Sequence, residues 1–285
     1  MNKKMGTESI EASFLSIFAL ISFFIFLLVN KYSHKIKGGA LLDKDFLKPQ
    51  AFHEIPVTRS GGIATIISLS IFFYIYYLLY SEVLYNYIFV SYSVFIVGFL
   101  DDLRLNIKPL SRLMIMIFLL FIFIYMLPIK IHNIDIPFLT SLMSSHIFSS
   151  IFVLLCFLFV INGANLIDGF NGLLTINLII INIVLAYINI GSGNFEFSIL
   201  IISQIIILLS FLLFNFPSAK IFLGDSGAYT MGALVGLNTI ITNNLNPTIS
   251  SFFFCTLLFY LFFEVFFSFL RKILQKKSPI YPDDR

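Results

Sequence analysis

The sequence predicts an all-α fold, a polytopic transmembrane helix bundle forming one integral membrane domain over residues 1–285. Three observations carry that expectation. Of the 285 residues, 59% are hydrophobic and only 12% are charged, against roughly 25% charged in soluble domains, and the mean hydropathy is +0.96. The apolar residues fall in uncharged runs of about 17 to 20, the length of a helix crossing a hydrocarbon core of about 30 Å. Polar or Gly/Pro clusters end the runs, as expected where helices stop.

Read in order, the runs place spans at about 12–30, 62–80, 84–100, 111–128, 147–161, 173–190, 198–214, 226–242 and 249–270, so about nine are expected. Lys3 and Lys4 precede the first, but it is long for a signal-peptide core and lacks an A-x-A-like cleavage site. Cys156 and Cys255 both lie inside apolar runs, where they read as small hydrophobes rather than as a disulfide or metal knuckle. With 36 Phe and no Trp, Tyr and Lys are left as interface anchors.

Charge placement sets the expected orientation. If the connections after spans one, three, five, seven and nine face one side, every Lys and Arg except Lys3, Lys4 and Lys130 gathers there. The positive-inside bias makes that side cytoplasmic and puts the N-terminus outside. Asp101, Asp102, Asp168 and Asp225 fall on the same side, at the ends of spans three, five and seven or the start of eight. Hydropathy does not require this. Carboxylates from separate loops meeting at one membrane face predict a cation-organised site for a charged substrate.

Gly98-Phe-Leu-Asp-Asp-Leu-Arg104 sets two adjacent carboxylates where a helix leaves the membrane, with Lys108 and Arg112 close by. Such a pair can hold magnesium, or one member can take a proton while the other stays ionised. Alone it reads first as a solvated helix end balanced by Arg104 and Arg112. Between Asn162 and Gly172 stand Asn162, Asn165, Asp168, Asn171 and three glycines. That is more polar and flexible chemistry than a turn needs, and unsatisfied amides at membrane depth are costly.

Near Phe216–Ala228, Asp225 or Ser226 falls close to a helix N-terminus, where N–H groups attract phosphate, with Lys220 upstream as an anion contact or a positive-inside anchor. In the first cytoplasmic loop, His53, Arg59 and Gly61-Gly62 read as a phosphate contact or cleft entrance. His53 alone reads first as a satisfied surface histidine.

These ordered motifs resemble the polyprenyl-phosphate N-acetylhexosamine-1-phosphate transferase family. The resemblance runs from about Lys48 to the end: Pro56 to Gly62, Asp101-Asp102, Asn162-x-x-Asn165-x-x-Asp168-Gly-x-x-Gly-Leu173, and Gly224-Asp225-x-Gly227. It implies a bacterial inner-membrane enzyme whose active site faces the cytoplasm. A polyprenyl phosphate, undecaprenyl phosphate, would attack a UDP-sugar, releasing UMP and leaving a lipid-diphosphate sugar for envelope polysaccharide. The implied cofactor is Mg2+, with Mn2+ as a substitute. The implied partners are the UDP-sugar and the membrane lipid, with no nucleic acid and with a homodimer compatible.

By position, Asp225 looks like the main metal ligand. Asp101 and Asp102 look like the pair assigned either to metal or to deprotonating the lipid phosphate, so Asp102 is expected as a second ligand and both as catalytic. Asp168, also expected as catalytic, looks like part of the nucleotide and diphosphate pocket with Asn162 and Asn165. Asn171, Lys220, Arg59 and His53 are expected to bind substrate.

Three features depart from the family pattern. Asn171 stands where many members carry a second aspartate, and Thr58 replaces a common proline. Ser278–Arg285 resembles the entry into a last cytoplasmic loop, so a histidine-rich segment and the span or spans beyond it are expected to be missing from this chain. Two other readings remain at this level: a non-catalytic member of the family, and a secondary transporter or lipid flippase, for which polar residues near the bilayer midplane are expected.

Overall fold

The computed structural model describes residues 2–33, 35, 41–43, 56–105, 107–126, 129–131, 134 and 136–276. Its elements are helices α1 (Asn2–Tyr32), α2 (Gly61–Tyr80), α3 (Tyr85–Asp102), α4 (Pro109–Met126), α5 (Pro137–Met143), α6 (His146–Ile167), α7 (Leu173–Gly191), α8 (Phe195–Asn215), α9 (Gly224–Leu245), α10 (Ser251–Leu257) and α11 (Phe259–Leu274). Two short strands, β1 (Leu42–Asp43) and β2 (Val57–Thr58), pair antiparallel. The all-α bundle is as expected, with this ribbon and α5 as additions.

Six helices are long and apolar enough to cross a membrane, and a seventh span results if α10 and α11, bent by 66°, are taken together. By this measure the nine expected spans are not reached. The two remaining helices on those runs, α3 and α9, fall short of that measure, and for α9 the physical reason is visible. Eighteen of the 22 residues of α9 are buried, and it packs against α3, α6, α7 and α2. Its Thr230, Asn238, Thr242 and Asn243 therefore meet protein instead of lipid, where polar side chains find partners.

The apolar core runs the length of the bundle. Phe18 and Phe72 join α1 to α2, and Phe123 and Phe157 join α4 to α6 edge to face. Both cysteines are free and line an apolar cavity of about 150 Å3 with Val160, Ile240 and Leu258.

The start of α9 is where the chain's loops are tied together. Phe222 N–H donates to Thr58 O at 2.9 Å, Gly61 N–H to Phe222 O at 2.9 Å and Gly62 N–H to Leu223 O at 2.8 Å. The segment before α9 thereby pairs parallel with the β2 strand and brings residues 58–62 against the start of α9. A Cβ on Gly98 would lie 2.5 Å from the backbone N of Ser226, so α3 reaches this point only because residue 98 has no side chain.

Candidate active site

Adjacent residues on a helix point about 100° apart, and at the end of α3 this separates the two aspartates. They lie just beyond the apolar stretch of that helix. Asp102 turns inward and is buried. Its Oδ1 accepts the N–H of Asp225 at 2.9 Å, its Oδ2 accepts the N–H of Ser226 at 3.0 Å, and the Ser226 hydroxyl also donates to Oδ2. Asp102 thus caps α9 from another helix, satisfying two of the free N–H groups at its start and meeting the positive end of its dipole. Gly224 makes room for this: its φ is +76°, and a Cβ there would sit 2.8 Å from both Asp102 oxygens.

Asp101 turns the other way. Arg112, from the first turn of α4, uses one nitrogen, Nη1, to donate to Asp101 Oδ2 and, at 3.0 Å, to Asp225 Oδ2. The other oxygen of Asp225 accepts from Asn165 Nδ2 at 3.0 Å. The guanidinium also stands over the Tyr229 ring, 5.6 Å from its centroid. Carboxylates from α3 and α9 therefore converge on one positively charged point, flanked by an amide from α6.

Asp168 ends α6, its N–H donating to Ala164 O at 3.2 Å. The turn that follows is held by Asn215, whose Oδ1 accepts the Gly172 N–H at 2.6 Å while its Nδ2 donates to Ile221 O at 3.0 Å. Asn171 Nδ2 donates to Pro217 O at 3.1 Å. These bonds attach the Asp168 turn to the segment leading into α9.

The electrostatics are those of too many carboxylates in too little water. Burial, then the hydrogen bond and charge of Asp225, push Asp101 up to about 7 against the opposing charges of Arg112 and Arg59. Burial and the Asp225 charge push Asp102 up to about 7, while its bonds from Ser226 and the charge of Arg59 oppose the rise. Asp168 is raised by burial first and by Asp225 and Asp102, with Arg59 opposing. A cation would relieve this repulsion.

The donor set fits magnesium, which takes one or two carboxylates plus substrate phosphate and keeps several waters. Among the described residues no three His, Cys, Asp or Glu side chains form a closed metal cage. The oxygens of Asp101 and Asp225, with the amide of Asn165 alongside, form an open set of that kind.

The structure thus brings together Asp101, Asp102, Asp225 and Asn165, with Asp168 and Arg59 within electrostatic reach. Asn162 turns its amide back onto its own helix, to Leu158 O at 2.7 Å. Lys220 is exposed on the segment before α9, and Asn171 is occupied with Pro217. His53 lies outside the described residues. Arg112, Ser226, Tyr229 and Asn215 belong to the site although the motifs do not single out these roles. Arg112 had a signal, a cation following the Asp101-Asp102 pair at the start of an apolar run, while the roles of the others depend on contacts between distant segments.

A family model for glycosyl transferase family 4 matches residues 84–243. The chain is 33% identical over 154 residues to a phospho-N-acetylmuramoyl-pentapeptide-transferase of Streptococcus thermophilus, covering 51% of this chain and 45% of that protein. It is 32% identical over 238 residues to the protein of that name in Dictyoglomus turgidum, covering 78% and 73%. It is 25% identical over 273 residues to the undecaprenyl-phosphate alpha-N-acetylglucosaminyl 1-phosphate transferase of Thermotoga maritima, covering 94% and 77%.

The chain belongs to glycosyl transferase family 4, and these sugar-phosphate transferases are among its relatives. The matched part spans about half the length of the Streptococcus thermophilus relative.

Proposed function

We propose that this protein transfers a sugar 1-phosphate, of N-acetylhexosamine type, from a UDP-sugar to undecaprenyl phosphate at the cytoplasmic face of a bacterial inner membrane. The convergence of Asp101 and Asp225 on the single nitrogen of Arg112 carries this reading. It pairs a cation-binding pair of carboxylates with a fixed positive charge, and phosphoryl transfer depends mainly on positioning and charge neutralisation.

Asp225 and Asp101 are the residues that would hold Mg2+, or Mn2+ in its place. The bound ion would neutralise the diphosphate and the developing charge on the leaving UMP. Arg112 is placed to pass from the carboxylates to a phosphate oxygen once they have another cation. Asn165 orients Asp225 through its amide bond. In this reading Asp102 acts by fixing the start of α9 instead of serving as a second ligand, because its oxygens already accept three hydrogen bonds. Asp168 and Arg59 are assigned to the nucleotide diphosphate in this reading, with Asn162, Asn171 and Lys220 as further substrate contacts.

The reaction joins a lipid-phosphate oxygen to the sugar-bearing phosphorus as the bond to UMP breaks. The test is UMP release from UDP-N-acetylhexosamines by the purified protein with undecaprenyl phosphate, with and without Mg2+. Magnesium-dependent release with one donor is the expected result, with Asp225→Asn inserting normally but inactive. No release with any donor overturns the reading, and full turnover by Asp225→Asn overturns the ligand assignment.

A further inference from the structure

The motifs place polar chemistry at one membrane face, yet the structure holds a second polar cluster well inside the bundle. Asn238 lies 13 residues beyond Asp225 on α9, about 20 Å along the helix. Its Oδ1 accepts the Tyr87 hydroxyl at 2.8 Å and Gln204 Nε2 at 3.4 Å. Its Nδ2 donates to Gln204 Oε1 at 2.8 Å and to Asn182 Oδ1 at 3.1 Å. All four side chains are buried, Asn238 and Asn182 with no exposed surface.

One side chain therefore links four helices. Tyr87 is on α3, which ends in Asp101 and Asp102. Asn182 is on α7, which starts after the Asp168 turn, and Gln204 is on α8, which ends in Asn215. Much of the packing near the start of α9 uses small residues: Gly227 lies against Gly62, and Gly232 against Ala164. Such contacts permit close approach but carry little directional preference. A buried amide does have direction, because it is satisfied at one rotation and depth of its helix, and a single buried Asn is an established way to specify helix register. Asp102 holds α9 at its first turn, and Asn238 supplies a second point deep in the bundle.

We propose that Asn238 is a positioning residue: through Tyr87, Asn182 and Gln204 it sets the register of α9 and so the placement of Asp225 opposite Asp101 and Arg112. The effect on turnover rests on the transferase reading, whereas the effect on geometry does not.

The experiment compares Asn238→Leu, the exchanged pair Asn238→Gln with Gln204→Asn, and Tyr87→Phe. Each is measured for kcat and KM in UMP release and for amide hydrogen exchange over residues 224–230. For Asn238→Leu, kcat is expected to fall about 100-fold with KM for the UDP-sugar little changed, the scale of a 1 Å misplacement. The Asp225 and Ser226 amides should exchange faster while α6 keeps its protection. The exchanged pair, which retains both amides, should recover most of the activity and protection, and Tyr87→Phe should give a smaller change in the same direction.

Unchanged exchange and turnover in Asn238→Leu overturn the proposal, as does an exchanged pair no better than the leucine variant. If Asn238→Leu does not fold, Tyr87→Phe and the exchanged pair decide by the same readouts. If the unaltered protein releases no UMP, the transferase reading fails and the exchange data alone judge Asn238.

Discussion

Asp102 Oδ1 accepts the backbone N–H of Asp225 at 2.9 Å, so one member of the carboxylate pair on α3 supports the residue that its neighbour faces. The two adjacent aspartates have different work. Asp101 looks into the site, and Asp102 holds together the helix that completes it.

Loss of this cap should be structural first. Asp102→Ala leaves the Asp225 and Ser226 amides without their acceptor, at about 1–3 kcal/mol for each buried unsatisfied group. A drop in detergent melting temperature together with lost turnover is the expected outcome. A variant as stable as the parent but inactive would return Asp102 to a direct chemical role.

Arg112 is expected to resist conservative exchange. A lysine replaces the planar guanidinium over the Tyr229 ring with a compact point charge, and so does not keep the ring contact together with the bridge between two carboxylates. Arg112→Lys should lower kcat by roughly 10-fold and Arg112→Leu by roughly 100-fold, the scale seen when one preorganised charge-stabilising donor is removed. The check is steady-state UMP release across a Mg2+ titration; equal activity in all three proteins would remove Arg112 from the mechanism.

The raised carboxylates give a sign to the pH dependence of stability. Asp101 and Asp102 bind protons more readily folded than unfolded, with ordinary values of 3.8 raised to about 7. The folded state therefore holds more protons between those limits, and stability falls as pH rises through the window. In chelator-treated protein the melting temperature should increase from pH 8 to pH 5.5. Added Mg2+ should stabilise chiefly at the alkaline end, because it replaces the missing positive charge. A melting temperature that rises with pH would contradict this electrostatic account.

Gly98 should tolerate no side chain. A methyl group there meets the backbone of Ser226, and overpacking of this kind costs about 1–3 kcal/mol. Gly98→Ala is expected to destabilise the protein and to reduce turnover by separating α3 from α9, whereas Gly191→Ala, where the added atom meets nothing within 4 Å, should be nearly neutral. Thermal unfolding of the two variants side by side distinguishes a close crossing from a general dislike of alanine.

Much of the molecule is legible without coordinates, but the limits fall at identifiable residues. Hydropathy locates every long helix, including α9, but the lower apolar content of α9 does not by itself show that α9 is central, since small and polar residues are accommodated at any helix–helix contact. Asn238 and Asn182 interrupt apolar runs, and only their meeting in space turns two isolated amides into a network. Arg112 reads as a counter-charge to the Asp101-Asp102 pair at a solvated helix end until its guanidinium is seen between Asp101 and Asp225.

The sequence by itself determined the class of molecule, because charge scarcity and run length leave a membrane bundle as the economical solution, and it determined which carboxylates and amides were available at one face. Only the tertiary structure decided how they divide the work. Asp101 and Asp102 are chemically identical neighbours, and their fates differ because helical geometry points one at Arg112 and the other at the free N–H groups of α9. That difference depends on how α3 and α4 sit against a helix more than 100 residues away along the chain, a long-range relationship that local composition and spacing do not encode.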